Sequence, residues 1–136
     1  MTEPQYLFVY GTLRRSRQNQ IQHPFLADCD YIGDAFIHGE LYEIDAYPGA
    51  IAGGTKLVKG ELYLMQNSEH TLSALDIYEE CAANFPQPHE YIRRELQVSL
   101  PDGQTVLAWT YLYNRPVNEL MRIHSGDYLN YLQEHT

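Results

Sequence analysis

The sequence predicts an α+β domain in which a mixed β-sheet curls toward a barrel with flanking helices. Three observations favour this fold class: at least five strand-like runs, one clear helix, and connections that do not alternate strand and helix regularly. Regular alternation is typical of a Rossmann-like parallel sheet, which we therefore do not expect. The length of 136 residues suits one domain of ordinary size, and we expect a single domain over residues 1–136.

The first half of the chain is predicted to be mostly β-structure. Its elements are, in order, a buried strand over 6–10, a loop or short irregular helix over 14–22, a brief helical turn over 23–26, a strand over 33–44, a turn at Tyr47-Pro48-Gly49-Ala50 and a strand over 56–65. The tetrapeptide Gly-Glu-Leu-Tyr occurs at 39–42 and again at 60–63. Two tetrapeptides do not make a repeat protein, so we interpret them as two strands of one sheet with similar surroundings.

The second half begins with a helix predicted over about 68–82, because Asn67 and Ser68 are good N-cap residues. Residues 91–99 alternate in polarity and return as a strand over 106–113 after the turn Pro101-Asp102-Gly103, which predicts a hairpin. The tail from Val117 to Leu132 is predicted to hold a short helix followed by a turn at Ser125-Gly126-Asp127-Tyr128.

Charge and composition exclude several functional classes. The formal net charge of −9 argues against binding to nucleic acid or to an anionic membrane surface. No apolar run reaches membrane-spanning length, and no basic region followed by an apolar run begins the chain, so the cytosol is the expected location. The two cysteines and six histidines show no zinc-site spacing, so we expect no metal site.

The helix over 68–82 places a carboxylate on its inward stripe. With about 100° of rotation per residue, Leu75 lies about 60° from Leu72, and Glu79 falls between them in angle. A carboxyl group in apolar surroundings has a pKa above its usual value of about 4.3, which suits proton transfer near neutral pH. The alternative is that the helix ends early and Glu79 is solvated, or that it pairs with Arg93 or Arg94.

The segment Tyr10-Gly11-Thr12-Leu13-Arg14 follows the first strand directly and is the second candidate site. Gly11 permits close approach of a ligand to the main chain, and several backbone N–H groups pointing one way bind an anion. Thr12 adds a hydroxyl and Arg14 adds positive charge. The alternative is an ordinary turn followed by a solvated basic stretch.

Five sequence blocks carry a resemblance to a known family. They are Tyr10-Gly11-Thr12-Leu13-Arg14, Tyr47-Pro48-Gly49, Gly60-Glu61-Leu62-Tyr63, Leu75-Asp76-Ile77-Tyr78-Glu79 and Tyr91-Ile92-Arg93. In this order they resemble the γ-glutamylcyclotransferase-like family, which includes γ-glutamylamine cyclotransferases and the plant avirulence-induced proteins. The resemblance runs from about residue 6 to Tyr113, with Gly126-Asp127-Tyr128 as a further match in the tail.

The resemblance implies a mixed β-barrel with a cavity at its mouth. It implies that Glu79 is the catalytic acid/base, and that main-chain groups of Tyr10, Gly11, Thr12 and Leu13 contact the glutamyl part of a small γ-glutamyl substrate. It places Tyr91 and Arg93 near the cavity. It leaves the oligomeric state open.

The reaction implied by the resemblance is an internal aminolysis that yields 5-oxoproline and a free amine, without a cofactor. Many members have glycine after the catalytic glutamate, whereas this chain has Glu80, a second carboxylate that would repel an anionic substrate. Two other functions remain open: a binding module without activity on the same fold, and a γ-glutamyl amide hydrolase in which water replaces the internal amine.

Overall fold

The computed structural model describes residues 3–11, 13–14, 22–44, 47–79 and 89–134. Its elements are β1 (Gln5–Val9), a 3-10 turn (Pro24–Leu26), β2 (Cys29–Glu43), β3 (Pro48–Met65), α1 (Ser68–Tyr78), β4 (Tyr91–Ser99), β5 (Thr105–Tyr113), β6 (Met121–Ile123) and α2 (Tyr128–Glu134). The predicted helical turn near Pro24 and the predicted β4–β5 hairpin are both confirmed.

Five of the strands close into a barrel. Their order is β3-β1-β5-β4-β2, and β2 pairs back to β3, while β6 adds to β2. The β1–β5 pair is parallel, and the other pairs that close the barrel are antiparallel. The predicted α+β fold with a mixed barrel is therefore confirmed.

Alternating side chains of β1 and of Tyr10, the residue that follows it, enter two different hydrophobic clusters. Phe8 and Tyr10 belong to one cluster, and Leu7 and Val9 belong to the other, which also holds side chains from α1. Burial on both faces explains why β1 is a continuous apolar run. The same arrangement brings the end of β1 beside the end of α1.

Strands β2 and β3 form a hairpin, and both are longer than the strands predicted over 33–44 and 56–65. The predicted turn over 47–50 is wrong, because Pro48 begins β3, and Gly49 and Ala50 pair with Tyr42 and Leu41. The chain reverses just before this point, where the Ile44 N–H donates to the Tyr47 carbonyl (3.0 Å). A proline is tolerated as the first residue of a strand, so its presence does not require a turn.

The two Gly-Glu-Leu-Tyr segments lie on the paired strands β2 and β3, as interpreted. In each, the tyrosine hydroxyl donates to the glutamate two residues earlier: Tyr42 to Glu40 and Tyr63 to Glu61, both at 2.9 Å. The second segment is buried, with Glu61 4% exposed.

The helix end and the tail differ from the prediction. Helix α1 ends at Tyr78 rather than near residue 82, and residues 80–82 lie outside the described part of the chain. The predicted short helix before the turn at 125–128 is wrong, because strand β6 occupies that position and pairs with β2. The tail does contain a helix, but this helix, α2, follows the turn instead of preceding it. Long-range pairing to a strand edge is invisible to local sequence patterns.

Candidate active site

A cavity of about 410 Å³ opens where the end of β1 meets the end of α1. Its volume falls in the range of roughly 300–1,000 Å³ that small-molecule sites occupy. Its described lining consists of Phe8, Val9, Tyr10, Gly11, Leu13, Tyr47, Pro48, Tyr78, Glu79, Glu90, Tyr91 and Tyr111. Sequence blocks far apart in the chain therefore meet around one space.

Tyr10 holds the first wall of the cavity in place. Its hydroxyl donates to the Tyr111 carbonyl (2.6 Å) and accepts from the Ala50 N–H (3.1 Å), so it bridges β5 and β3. Burial raises the pKa of this phenol above its usual range, so Tyr10 is a neutral group at physiological pH.

Gly11 follows Tyr10 and lies against Pro48. A Cβ atom at position 11 would be 2.7 Å from Cγ of Pro48, closer than real contacts allow. The turn is completed by the Arg14 N–H, which donates to the Gly11 carbonyl (3.0 Å). Thr12 lies outside the described residues. The absence of a side chain at Gly11 thus lets this loop form a wall of the cavity.

Replacing Gly11 by alanine is expected to lower the free energy of unfolding by about 1–3 kcal/mol. It should also lower kcat/KM, because the rigid ring of Pro48 forces the loop to move. A matched control is Gly103→Ala, where φ is +91° and the strain costs about 1 kcal/mol. That turn lies about 26 Å from Tyr91 along β4, so activity should be unchanged. Equal loss of activity in both variants would contradict a role for Gly11 in the cavity.

Glu79 provides a partly buried carboxyl group to the cavity. It is the C-cap of α1, and its N–H still donates to the Leu75 carbonyl (2.8 Å). Burial, followed by the charge of Glu90, raises the pKa of Glu79 to about 7. The helix does end early, but the carboxyl group lines the cavity.

Tyr91 and Arg93 lie two residues apart on β4 and have different surroundings. Tyr91 lines the cavity and its hydroxyl donates to the Pro48 carbonyl (2.6 Å). Burial raises its pKa above the usual range, so it too is neutral. Arg93 is not among the lining residues. Its guanidinium binds Asp76 of α1 (2.8 and 3.1 Å) and lies 4.9 Å from the ring centre of Trp109. Arg93 therefore joins α1 to the sheet.

Arg14 also lies outside the cavity lining. Its side chain is 4% exposed, and the guanidinium contacts Asp127 (2.9 Å) and Glu61 (3.7 Å). The cation proposed from sequence to face an anionic ligand is therefore directed toward two carboxylates of the protein itself. The structure brings together Tyr10, Gly11, Leu13, Glu79 and Tyr91, but not Arg14 or Arg93.

Sequence reasoning missed a second carboxylate in the cavity, Glu90. Its Oε1 accepts from the Tyr47 hydroxyl (2.5 Å), and its Oε2 lies 3.5 Å from Arg115. The sequence did offer one signal for Glu90, its position next to the family blocks: Glu90 directly precedes Tyr91, and its partner Tyr47 begins another of the five blocks. Neither position shows that these two side chains meet.

Within the described residues, no three His, Cys, Asp or Glu side chains come together in a way that could hold a metal ion. No helix in the same part of the chain has both the length and the apolar character needed to cross a membrane.

Comparison with known proteins gives a consistent assignment. Residues 7–130 match the family described as "Gamma-glutamyl cyclotransferase, AIG2-like". The γ-glutamylcyclotransferase family protein YtfP of Escherichia coli K12 is 38% identical over 126 residues, covering 91% of this chain and 96% of YtfP. The solution structure of E. coli YtfP matches with a TM-score of 0.62 at 35% identity, covering 93% of this chain and 97% of that one.

Two further proteins extend the comparison. The γ-L-glutamyl-butirosin B γ-glutamyl cyclotransferase of Niallia circulans is 34% identical over 131 residues, covering 95% of this chain and 78% of that protein. The crystal structure of YkqA from Bacillus subtilis matches with a TM-score of 0.72 at 24% identity and covers 98% of this chain. This chain spans 44% of YkqA, and that likeness concerns the fold alone.

Proposed function

The chain belongs to the γ-glutamyl cyclotransferase, AIG2-like family, and on this premise we propose that it converts a γ-glutamyl amine or γ-glutamyl amino acid into 5-oxoproline and a free amine. One observation carries the proposal: a glutamate with a pKa near 7, Glu79, lines a cavity with the loop that follows β1. A carboxyl group with this pKa both accepts and donates protons near neutral pH.

The reaction needs no external nucleophile, since the substrate's own α-amine attacks its γ-carbonyl carbon. Glu79 as carboxylate takes a proton from the α-ammonium group, which frees the lone pair for attack. The carbon–nitrogen bond to the leaving group then breaks as Glu79 returns the proton to the departing nitrogen. The second proton of the attacking nitrogen passes through the Glu79 carboxylate to the released amine, which leaves as an ammonium ion. No water is consumed and no cofactor takes part. The protein's main task is to hold the substrate in the folded shape from which the ring closes.

The walls around Glu79 are suited to this task. Tyr10 and Tyr91 are neutral and use their hydroxyls to bind main-chain carbonyls, so they form a rigid frame without competing for the proton. Gly11, which has only main-chain atoms, lines the cavity together with Leu13, and main-chain N–H groups of this loop would orient the α-carboxylate or the oxyanion that forms at the γ-carbonyl.

The rate is expected to fall on the acid side of pH 7. Glu79 must be deprotonated to act as a base, and its pKa is raised to about 7, so kcat/KM should drop about tenfold per pH unit below that value. Glu90→Gln removes one cause of the raised pKa of Glu79, so the fall in kcat/KM should begin at a lower pH in this variant. Glu119→Gln, an exposed carboxylate outside the cavity lining, is the control. If kcat/KM of the unmodified protein begins to fall only near pH 4.5, the assignment of Glu79 as a base with a raised pKa is wrong.

The proposed activity is tested by incubating the protein with γ-glutamyl amino acids and γ-glutamyl amines and separating the products by chromatography. We expect 5-oxoproline and free amine in equal amounts. Free glutamate in place of 5-oxoproline would instead support a hydrolase. Binding without any product would support a module without activity on the same fold.

A further inference from the structure

The charge of the cavity bears on which leaving group it accepts. Among the twelve described lining residues, Glu79 and Glu90 carry carboxyl groups and none is lysine or arginine. Of the arginines beside the lining residues, Arg14 contacts Asp127 and Arg93 contacts Asp76, while Arg115 lies 3.5 Å from Glu90. The whole chain is also acidic, with a formal net charge of −9. The described lining therefore presents negative charge to a ligand.

The two carboxyl groups have different chemical parts to play. In the proposed reaction Glu79 exchanges a proton with the substrate, so its charge changes during each turnover. Glu90 is fixed by the Tyr47 hydroxyl at Oε1, and its carbonyl accepts from the Asn114 N–H (2.7 Å). Glu90 is thus a stationary negative charge at the start of β4.

The pairing of Glu90 with Arg115 does not cancel this charge. The Arg115 side chain is 47% exposed and lies 3.5 Å from Oε2, a geometry in which an ion pair is weak and screened by water. The field of Glu90 does reach into the cavity, since its charge is the second cause, after burial, of the raised pKa of Glu79.

We propose that this site prefers γ-glutamyl substrates whose leaving amine carries a positive charge beyond the scissile amide, and that Glu90 sets this preference. The inference rests on the proposed function and adds the substrate class. A cation on the leaving group gains attraction from Glu90, whereas a carboxylate, as in a γ-glutamyl amino acid, is repelled. The glutamyl part, with its α-carboxylate, is shared by all these substrates, so it does not contribute to the difference between them.

The test compares three substrates whose leaving groups each contain five carbon atoms. They are γ-glutamyl-cadaverine, γ-glutamyl-pentylamine and γ-glutamyl-5-aminopentanoate, whose leaving groups end in a cation, a methyl group and an anion. Because the glutamyl part is identical in all three, differences in kcat/KM report on the leaving group. We expect the cationic substrate to exceed the anionic one at least about tenfold. Raising the salt concentration should reduce this ratio.

Glu90→Gln assigns the preference to one residue. Glutamine still accepts a hydrogen bond from Tyr47 but carries no charge, so the ratio of cationic to anionic kcat/KM should fall to within about threefold. Glu119→Gln changes the net charge equally at an exposed position outside the described lining and should leave the ratio unchanged.

The outcomes separate this inference from the proposed function. Equal turnover of the three substrates, a preference for the anionic one, or a preference that survives Glu90→Gln overturns the role of Glu90 while leaving the cyclotransferase activity established. If neither these three substrates nor γ-glutamyl amino acids yield 5-oxoproline, the proposed function is overturned and this inference with it.

Discussion

Glu79→Gln is expected to lower 5-oxoproline formation by roughly 10²- to 10⁴-fold, the usual contribution of a side chain that transfers protons. Glutamine has the same shape as glutamic acid, so the cavity and the capped end of α1 should keep their geometry. It cannot take the proton from the α-ammonium group, so the amine stays unreactive. The measurement is kcat/KM from the rate of 5-oxoproline release, together with the binding constant of the intact γ-glutamyl substrate, which should change little.

Glu69→Gln is the matched control, because Glu69 is an exposed carboxylate in the first turn of the same helix. It should keep the rate of the unmodified protein. If Glu79→Gln also keeps that rate, the acid–base assignment is wrong and the carboxyl group in the cavity has another role.

The same substitution should make the protein more stable at alkaline pH. Folding raises the pKa of Glu79 from 4.5 to about 7, so the folded state favours the protonated form. The stability linked to this group is complete below pH 4.5 and is lost as the pH rises through 7. Glutamine imitates the protonated form, so Glu79→Gln should gain about 1–3 kcal/mol at pH 8 and little at pH 4. Urea unfolding at the two pH values measures this, and a loss at pH 8 would contradict it.

The direction of Glu79 could be predicted from the sequence even though the end of its helix could not. The periodicity of Leu72 and Leu75 fixed the inward side of α1, and the Glu79 N–H still bonds to the Leu75 carbonyl. Its φ of −87° and ψ of 2° are close enough to helical values to keep the side chain on that side. A local pattern was sufficient because the last helical hydrogen bond is local.

Contacts between distant parts of the chain set the limit of this reasoning. Arg14 and Asp127 are 113 positions apart, and Glu90 and Tyr47 are 43 apart. The sequence around Arg14 shows a basic stretch after a glycine, which suits an anion-binding loop, and nothing nearby reveals that its partners come from β3 and from the turn before α2. Such pairs arise only when the barrel closes, so the barrel could be predicted in outline and these partners could not.

Arg14→Met is expected to destabilise the protein by about 3–5 kcal/mol, because it removes the guanidinium from the buried carboxylate of Glu61 and the partly buried carboxylate of Asp127. Glu61 and Asp127 both contact the guanidinium, and the Glu61 side chain is 6% exposed. For a chain of this size we expect the Tm to fall by about 10–15 °C. At 15 °C, where the variant stays folded, KM should change less than about threefold, because the guanidinium is directed away from the cavity. A large rise in KM without loss of stability would instead support substrate binding by Arg14.

Arg122→Met is the matched control, because the first Gly-Glu-Leu-Tyr segment repeats the same arrangement closer to solvent. Arg122 lies 3.9 Å from Glu40, with side chains 27% and 35% exposed, so its loss should cost less than about 1 kcal/mol.

The pH dependence of the stability of Arg14→Met gives a second check. Burial alone would raise the pKa of Asp127, but the hydrogen bonds from Arg14 and Asn130 and the charge of Lys59 hold it below its usual value. Without Arg14 the pKa of Asp127 should rise. The difference in free energy of unfolding between Arg14→Met and the unmodified protein should therefore become smaller as the pH falls from 7 toward 4. A deficit that is constant with pH would show that lost packing, rather than unpaired charge, destabilises the variant.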